Sequence, residues 1–257
     1  MIYVNGDSHS AGADIIPGVC FAQDDPRYLA YGRRAHPEAI IQTYGYHVAQ
    51  TFNQGLFCEA ESGSSNDRIL RTAKHYIENT KDKKSIGFVI IGWTSWEREE
   101  WKHGEDYLQV TASGTDSVPE SMEEEYKEWV VKQTPEELKR KEQLWYDRIW
   151  DFHCELNDQN IRHVFFNSMN RFNDNRDWDI NFIPISYSQW LTEQGFNTVE
   201  NNSHYGADAH RAWGKYIVTI VNTQYIMTGK EQRQLLTAAR RHSIITKVRK
   251  EFKGLRR

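Results

Sequence analysis

Serine, histidine and acidic side chains occur in this chain where they could form a nucleophilic site. A short apolar run, Met1 to Asn5, ends in Gly6-Asp7-Ser8. A serine becomes a strong nucleophile when a histidine removes its proton and a third group orients that histidine. The segment 201–210, NNSHYGADAH, supplies two candidate bases, His204 and His210. A serine after a strand is also a common turn residue, so at this point both interpretations stay open.

Two further polar segments follow predicted strands. The sequence SGSSND, residues 62–67, follows a short strand predicted at 57–60, and GWTSWER, residues 92–98, follows the apolar run 86–91. In open α/β sheets the ligand site lies beyond the carboxyl ends of the strands. We therefore expect the three polar segments to meet at one edge of the sheet.

The elements that would position these segments alternate between strands and helices. Helical periodicity covers 42–52, 66–80, 144–157 and 208–227, and the predicted strands are 1–5, 57–60, 86–91 and 163–167. Residues 10–36 read as a long loop, and 122–142 as helical in pieces, with an N-terminal cap at Thr134-Pro135. This alternation predicts an α/β fold whose parallel sheet is covered on both faces.

The charge of the chain is distributed unevenly. The 257 residues carry a formal net charge of −4, but residues 230–257 hold ten Lys and Arg against two Glu, a balance of +8, which leaves −12 for residues 1–229. An acidic body disfavours nonspecific binding of nucleic acid. The basic end is predicted to bind an anionic partner, to dock on the acidic body or to lie on a lipid surface.

Metal sites and membrane spans are not expected. The three cysteines are scattered and form no CxxC pair, so we expect reduced thiols and no zinc site built on them. The set His204, Asp208 and His210 contains zinc-type ligands, but its spacing matches no metal motif. The longest apolar stretch, Phe88 to Ile91, is far shorter than a membrane span.

The order and spacing of the blocks resemble those of the SGNH/GDSL-type serine hydrolases, most closely the phage-encoded branch. The resemblance is carried by Gly6-Asp7-Ser8, by SGSSNDRI at 62–69, by the WTS–R–E stretch from Trp93 to Glu99, and by a last block from His204 to Gly214 that looks like HPxxxGHxxWA. It implies a three-layer flavodoxin-like fold with a parallel sheet of about five strands and helices on both faces. The hydrolase-like domain would span 1–228, with a helical insertion at about 97–143 near the site and a basic helical tail at 229–257.

The resemblance also implies roles for individual residues. Ser8 matches the nucleophile, and its backbone N–H and that of Gly63 match oxyanion donors. His204 matches the general base, with His210 as the alternative. The third donor of the family is an Asn in the third block. This chain has Trp93-Thr94-Ser95 there, so that donor is missing or is replaced by Thr94, Ser95 or Asn66.

The orienting acid of the family has no direct counterpart. It lies three residues before the base, where this chain has Asn201. A backbone carbonyl, Glu200 or Asp208 could orient the histidine instead. The departure supports an alternative interpretation, a non-catalytic phage structural or accessory protein that keeps the fold and binds an anionic partner through its basic tail.

The leading interpretation of the resemblance is a serine esterase of the acetylesterase type. Its substrate would be an ester of a small molecule or of an acylated carbohydrate, since substrates in the family range from acetylated sugars to lipids. No metal or organic cofactor is required. Met1 leads directly into the first strand, so we expect no signal peptide and a cytoplasmic location, or the host cytoplasm or virion if the chain is phage-encoded.

Overall fold

The computed structural model describes residues 1–16, 34–112, 118–172, 180–199 and 203–226. The predicted basic tail at 229–257, Glu200 and Asn201 lie outside these ranges. The described helices of four or more residues are α1 (Ser8–Ala11), α2 (Pro37–Ile40), α3 (Tyr44–Thr51), α4 (Asn66–Asn79), α5 (Glu123–Val131), α6 (Pro135–Asp158), α7 (Tyr187–Glu193) and α8 (Ala207–Ile226).

A four-stranded parallel sheet forms the centre of the molecule. Its strands are β1 (Ile2–Asn5), β2 (Leu56–Cys58), β3 (Phe88–Trp93) and β6 (His163–Asn167), in the order β2-β1-β3-β6. This is the flavodoxin-like order, with β1 flanked by the second and third strands. At the outer edge of β6 a single parallel bridge joins Phe165 to Phe182, where a fifth strand would lie. The predicted α/β fold with a parallel sheet is therefore confirmed.

Helices cover both faces of the sheet because successive strand residues point to opposite sides. Val4 and Ile90 pack on one face, against the core side of α3 and α8. Their neighbours Tyr3 and Val89 pack on the other face, against α4 and α6. Every residue of β3 and of β6 is buried, as the unbroken apolar run in β3 predicts. The result is three layers with one hydrophobic core on each side of the sheet.

The segment predicted as a helical insertion begins with a β-hairpin. Strands β4 (Glu99–His103) and β5 (Asp106–Val110) pair antiparallel around a two-residue turn, in which Gly104 has φ +60°. A glycine at the first turn position suits a type II′ hairpin. Sequence patterning missed this hairpin because neither strand is an apolar run, and nine of the ten strand residues are partly buried or exposed.

The second helix of the same segment begins where the sequence predicts it. Thr134 caps α6, and its hydroxyl accepts a hydrogen bond from the N–H of Glu137 at 3.3 Å. Helix α6 then continues to Asp158, so the pieces predicted at 122–142 and 144–157 are joined there. None of the helices in the described ranges is both long enough and apolar enough to cross a membrane.

Candidate active site

The serine block is fixed at the carboxyl end of β1. The N–H of Gly6 donates to the side-chain oxygen of Asn5 at 2.8 Å. A Cβ on Gly6 would lie 2.1 Å from Ser10 Oγ, so only glycine fits there. The carboxylate of Asp7 accepts from the N–H of His9 at 3.0 Å and thereby caps helix α1. Ser8 is the first residue of this helix, and 8% of its surface is exposed.

Ser8, His204 and Asp14 form a chain of hydrogen bonds. His204 Nε2 lies 2.8 Å from Ser8 Oγ, and His204 Nδ1 lies 2.6 Å from Asp14 Oδ2. The side chains of His204 and Asp14 are 17% and 8% exposed, so the chain is largely shielded from water. This is the geometry of a nucleophile, a base and an orienting acid.

Asp14 is the site residue that the sequence reasoning missed. Helix α1 ends at Ala11 and is capped by Gly12, which has the left-handed φ of +74°, and Asp14 itself has φ +58°. These two conformations turn the chain back, so that a carboxylate six residues after Ser8 reaches the far nitrogen of His204. The sequence contains a signal for this turn. Glycine is the residue that most often ends a helix in the left-handed conformation, as Gly12 does, and Asp tolerates the left-handed region better than most residues.

The carboxylate of Asp14 fixes the protonation pattern of His204. An ionised carboxylate can only accept, so the proton of neutral His204 belongs on Nδ1. Nε2 is then left as an acceptor and faces the hydroxyl of Ser8. In this form the ring is ready to remove the Ser8 proton, and the resulting imidazolium is stabilised by Asp14.

The other predicted acid and base candidates lie away from this chain of hydrogen bonds. The side chain of Asp208 is 84% exposed and lies 3.4 Å from Arg211. His210 is buried, and its Nδ1 accepts from the N–H of Tyr44 at 3.3 Å. Asn201 lies outside the described residues. The orienting role for which the sequence suggested Asn201 or Asp208 is geometrically available to Asp14.

Two backbone N–H groups are available as oxyanion donors. Among the described residues, no hydrogen-bond partner is found for the N–H of Ser8 or of Gly63. Gly63 has φ +75°, a conformation that favours glycine and turns the chain between β2 and α4. Preorganised donors of this kind stabilise the negative oxygen of a tetrahedral intermediate.

The predicted third donors, Asn66 and Thr94, are bonded to each other and hold two of the blocks together. Asn66 Oδ1 accepts from Thr94 N at 2.8 Å, and Asn66 Nδ2 donates to Thr94 O at 3.1 Å. The hydroxyl of Thr94 donates to Asp7 Oδ2 at 2.7 Å. Both donors of Thr94 are therefore already used, while Asn66 keeps one amide hydrogen.

Asp7 is a buried carboxylate at the junction of the blocks. Besides its bond to Thr94, its Oδ1 accepts from Ser168 Oγ at 3.1 Å, and Arg98 Nη1 lies 3.7 Å from its Oδ2. Burial would raise the pKa of Asp7, but His9, Arg98 and the two hydroxyls outweigh it and hold the pKa below its ordinary value. Asp7 is thus ionised at neutral pH, and it ties β1 to the ends of β3 and β6.

His9 lies beside the candidate base, His204. Its ring centroid is 5.0 Å from that of His204. Burial lowers the pKa of His9, and the attraction of Asp7 only partly opposes this effect. The lowered pKa of His9 weakens the repulsion between His9 and the imidazolium that His204 becomes when it accepts a proton.

Among the described residues outside the surroundings of Ser8, we find no second cluster of reactive groups. No group of three or more metal-ligating side chains occurs in the described part of the chain. Burial raises the pKa of the free Cys58 thiol to about 11, which keeps it protonated and unreactive. A groove of ≈ 520 Å³ lies between α4, β4 and α6, away from Ser8. It is lined mainly by oppositely charged side chains, among them the pairs Arg71–Glu100 and Arg148–Asp67.

The comparisons with known proteins give a match to a solved structure. No protein-family model matches the chain, and a search of curated proteins found no match. Among solved structures, the chain is similar to an acetyl xylan esterase, Est2A, from the rumen bacterium Butyrivibrio proteoclasticus, with 13% identity and a TM-score of 0.46. The match covers 87% of this chain and 64% of that chain. None of these comparisons supports the phage-encoded branch, and the chemistry of the site has to be inferred from the atoms around Ser8.

Proposed function

We propose that this protein is a serine ester hydrolase that acts through Ser8, His204 and Asp14. The observation that carries the proposal is the continuous hydrogen-bond chain from Asp14 Oδ2 through both nitrogens of His204 to Ser8 Oγ. The N–H groups of Ser8 and Gly63, for which the described residues offer no partner, support it, because acyl transfer requires donors for the negative oxygen as well as a nucleophile.

The first half of the reaction forms an acyl-enzyme. Ser8 Oγ attacks the ester carbonyl carbon while His204 Nε2 takes the hydroxyl proton, and the carbonyl π electrons move onto the oxygen. The N–H groups of Ser8 and Gly63 donate to this oxygen. When the carbonyl reforms, the bond to the alcohol oxygen breaks, and His204 returns the proton to the departing alcohol.

The second half releases the acid. His204 takes a proton from water, the water oxygen attacks the acyl carbon, and a second tetrahedral intermediate forms in the same pocket. Its collapse breaks the bond to Ser8 Oγ, which recovers the proton from His204. The products are a carboxylic acid and an alcohol, with the enzyme unchanged. The substrate class proposed from the resemblance is a small ester or an acylated carbohydrate.

Labelling and hydrolysis test the nucleophile. Wild-type protein is expected to react with a fluorophosphonate probe and to hydrolyse p-nitrophenyl acetate, and Ser8→Ala is expected to lose both. The fold should persist, because one hydroxyl hydrogen bond contributes only about 0.5–1.5 kcal/mol to stability.

Ser10→Ala is the matched control on the same helix. The hydroxyl of Ser10 is buried and bonded to Tyr44 at 2.7 Å, and no hydrogen bond joins it to His204 among the described residues. The Ser10 variant should still be labelled at Ser8. Hydrolysis that survives in Ser8→Ala would refute the proposal. A wild-type protein that neither reacts with the probe nor hydrolyses a panel of acetyl, butyryl and acetylated-sugar esters would favour the non-catalytic alternative.

A further inference from the structure

Arg98 is a charged residue at the site to which the mechanism above gives no role. Its Nη1 donates to Thr94 Oγ1 at 2.9 Å and to Ser64 O at 3.4 Å, and it lies 3.7 Å from Asp7 Oδ2. Ser64 follows Gly63, and Asp7 precedes Ser8. Two of the residues that hold the guanidinium, Ser64 and Asp7, are therefore the direct chain neighbours of the residues that supply the backbone oxyanion donors.

The guanidinium retains unused donors. Arginine carries five N–H groups, of which Nη1 supplies two. Within the described ranges, Nε and Nη2 have no hydrogen-bond partner, and the side chain is 20% exposed. Three charged N–H donors thus remain on a side chain that is fixed by three contacts and partly open to solvent.

The positive charge of Arg98 compensates the negative charge of Asp7 beside the site. Asp7 is ionised and 1% exposed, and it directly precedes Ser8 in the chain. A buried carboxylate this close opposes the negative charge that develops on the carbonyl oxygen. Arg98 forms the ion pair with Asp7, and its positive charge compensates that opposition.

We propose that Arg98 is a third oxyanion donor, so that an N–H of its guanidinium and the N–H groups of Ser8 and Gly63 together bind the negative oxygen of the tetrahedral intermediate. This inference rests on the proposed hydrolase function. Ser95 is the competing side-chain donor, because it is half-buried and its hydroxyl has no partner among the described residues. Among the described residues, no hydrogen bond or ion pair joins Ser95 to Asp7 or Ser64, whereas Arg98 donates to Ser64 O and pairs with Asp7.

The test compares Arg98→Gln, Arg98→Lys, Ser95→Ala and the control Arg71→Gln. Arg71 makes two bonds of 2.7 Å to Glu100 in the neighbouring strand, so its variant loses a stronger ion pair outside the site. With p-nitrophenyl acetate, Arg98→Gln is expected to lower kcat about 10²-fold to 10³-fold with little change in KM. Arg98→Lys should keep part of the rate, and the other two variants should stay near wild type.

Binding of phenylboronic acid provides a second readout, because its adduct with Ser8 is tetrahedral and negatively charged. Its affinity should fall in Arg98→Gln by roughly the same factor as kcat. A merely structural role would change the thermal unfolding temperature without this parallel loss. Adding Asp7→Asn to Arg98→Gln separates direct contact from neutralisation of Asp7, and the expected result is no recovery of activity.

The outcomes separate this inference from the proposed function. If wild type hydrolyses the ester through Ser8 and Arg98→Gln matches it, Arg98 is not a donor while the hydrolase function stands. Recovery in the Asp7→Asn double variant, or a larger loss in Ser95→Ala than in Arg98→Gln, also overturns the inference. If wild type itself neither hydrolyses esters nor reacts at Ser8, the function fails and the role of Arg98 fails with it.

Discussion

His204 and His210 are six residues apart in the same segment and have opposite environments. His204 lies in the loop before α8 and contacts Ser8 through one nitrogen and Asp14 through the other. His210 lies in the first turn of α8, is 1% exposed and accepts from the N–H of Tyr44. Its ring stacks on that of Tyr44, with centroids 5.9 Å apart and an angle of 5° between the planes.

What each of these histidines can do depends on its burial and its hydrogen-bond partners, and not on the residue type. Burial lowers the pKa of His210 to about 3, and the nearby His9, His47 and His204 add to the effect. A ring that stays neutral and packed in the core is a poor proton carrier at neutral pH. His204 has a carboxylate to stabilise its charged form and a hydroxyl to deprotonate, so the same side chain becomes a candidate base.

Removing each ring tests the comparison most strongly. His204→Ala is expected to lower kcat with p-nitrophenyl acetate by at least about 10³-fold, because Ser8 loses its base. His210→Ala removes a packed side chain from the core and should act mainly on stability, which thermal unfolding would detect. If His210→Ala lost the greater part of the activity while His204→Ala kept it, the assignment of the base would be reversed.

Replacing Asp14, the acid partner of His204, is expected to have a smaller effect on kcat. Asp14→Asn is expected to lower kcat about 10²-fold to 10³-fold with little change in stability. An amide can donate to Nδ1 and so favours the tautomer whose Nε2 carries the proton and cannot accept from Ser8. The matched control is Asp208→Asn, whose carboxylate is exposed and should leave kcat unchanged. Equal rates in Asp14→Asn and wild type would remove Asp14 from the mechanism.

The smallest expected effect is the change in the free energy of unfolding with pH that comes from His210. Below the ordinary histidine pKa of 6.5, the unfolded chain binds a proton at this position that the folded protein does not bind until about pH 3. The contribution of neutral His210 to the free energy of unfolding is thus complete above pH 6.5 and is lost as the pH falls from 6.5 towards 3. The free energy of unfolding should decrease by about 1.4 kcal/mol per pH unit from this residue alone.

Urea unfolding of wild type and His210→Gln between pH 7 and pH 4 measures this contribution. Glutamine can still accept from Tyr44 but does not titrate, so the variant should lose stability less steeply as the pH falls. Identical slopes for the two proteins would mean that His210 is protonated in the folded state or accessible to water.

Much of the fold was predictable because it depends on local patterns. The apolar runs of β1, β3 and β6 and the amphipathic α4 have spacings that fit one element type each. The cap at Thr134 and the general position of α8 also follow from short motifs. The hairpin β4–β5 was not predictable in this way, since its polar strands form next to α4 through contacts such as the Arg71–Glu100 pair.

Part of the candidate site was likewise determined by the sequence alone. Parallel strands end at the same edge of a sheet, so the blocks that follow β1, β2 and β3 had to meet there. The structure brings them together through Asp7, Ser64 and Thr94. The choice of His204 over His210 as the residue facing Ser8 follows from the register of the last block against α8.

Only the tertiary structure decided which groups complete the site. Asp14 reaches His204 because two left-handed residues reverse the chain after α1, and a distance of 2.6 Å across 190 positions cannot be read from spacing. Arg98 gains its place from Asp7, Ser64 and Thr94, which belong to three separate blocks. Sequence fixes where short segments begin and end, whereas the partners of a charged side chain depend on which of these segments pack together.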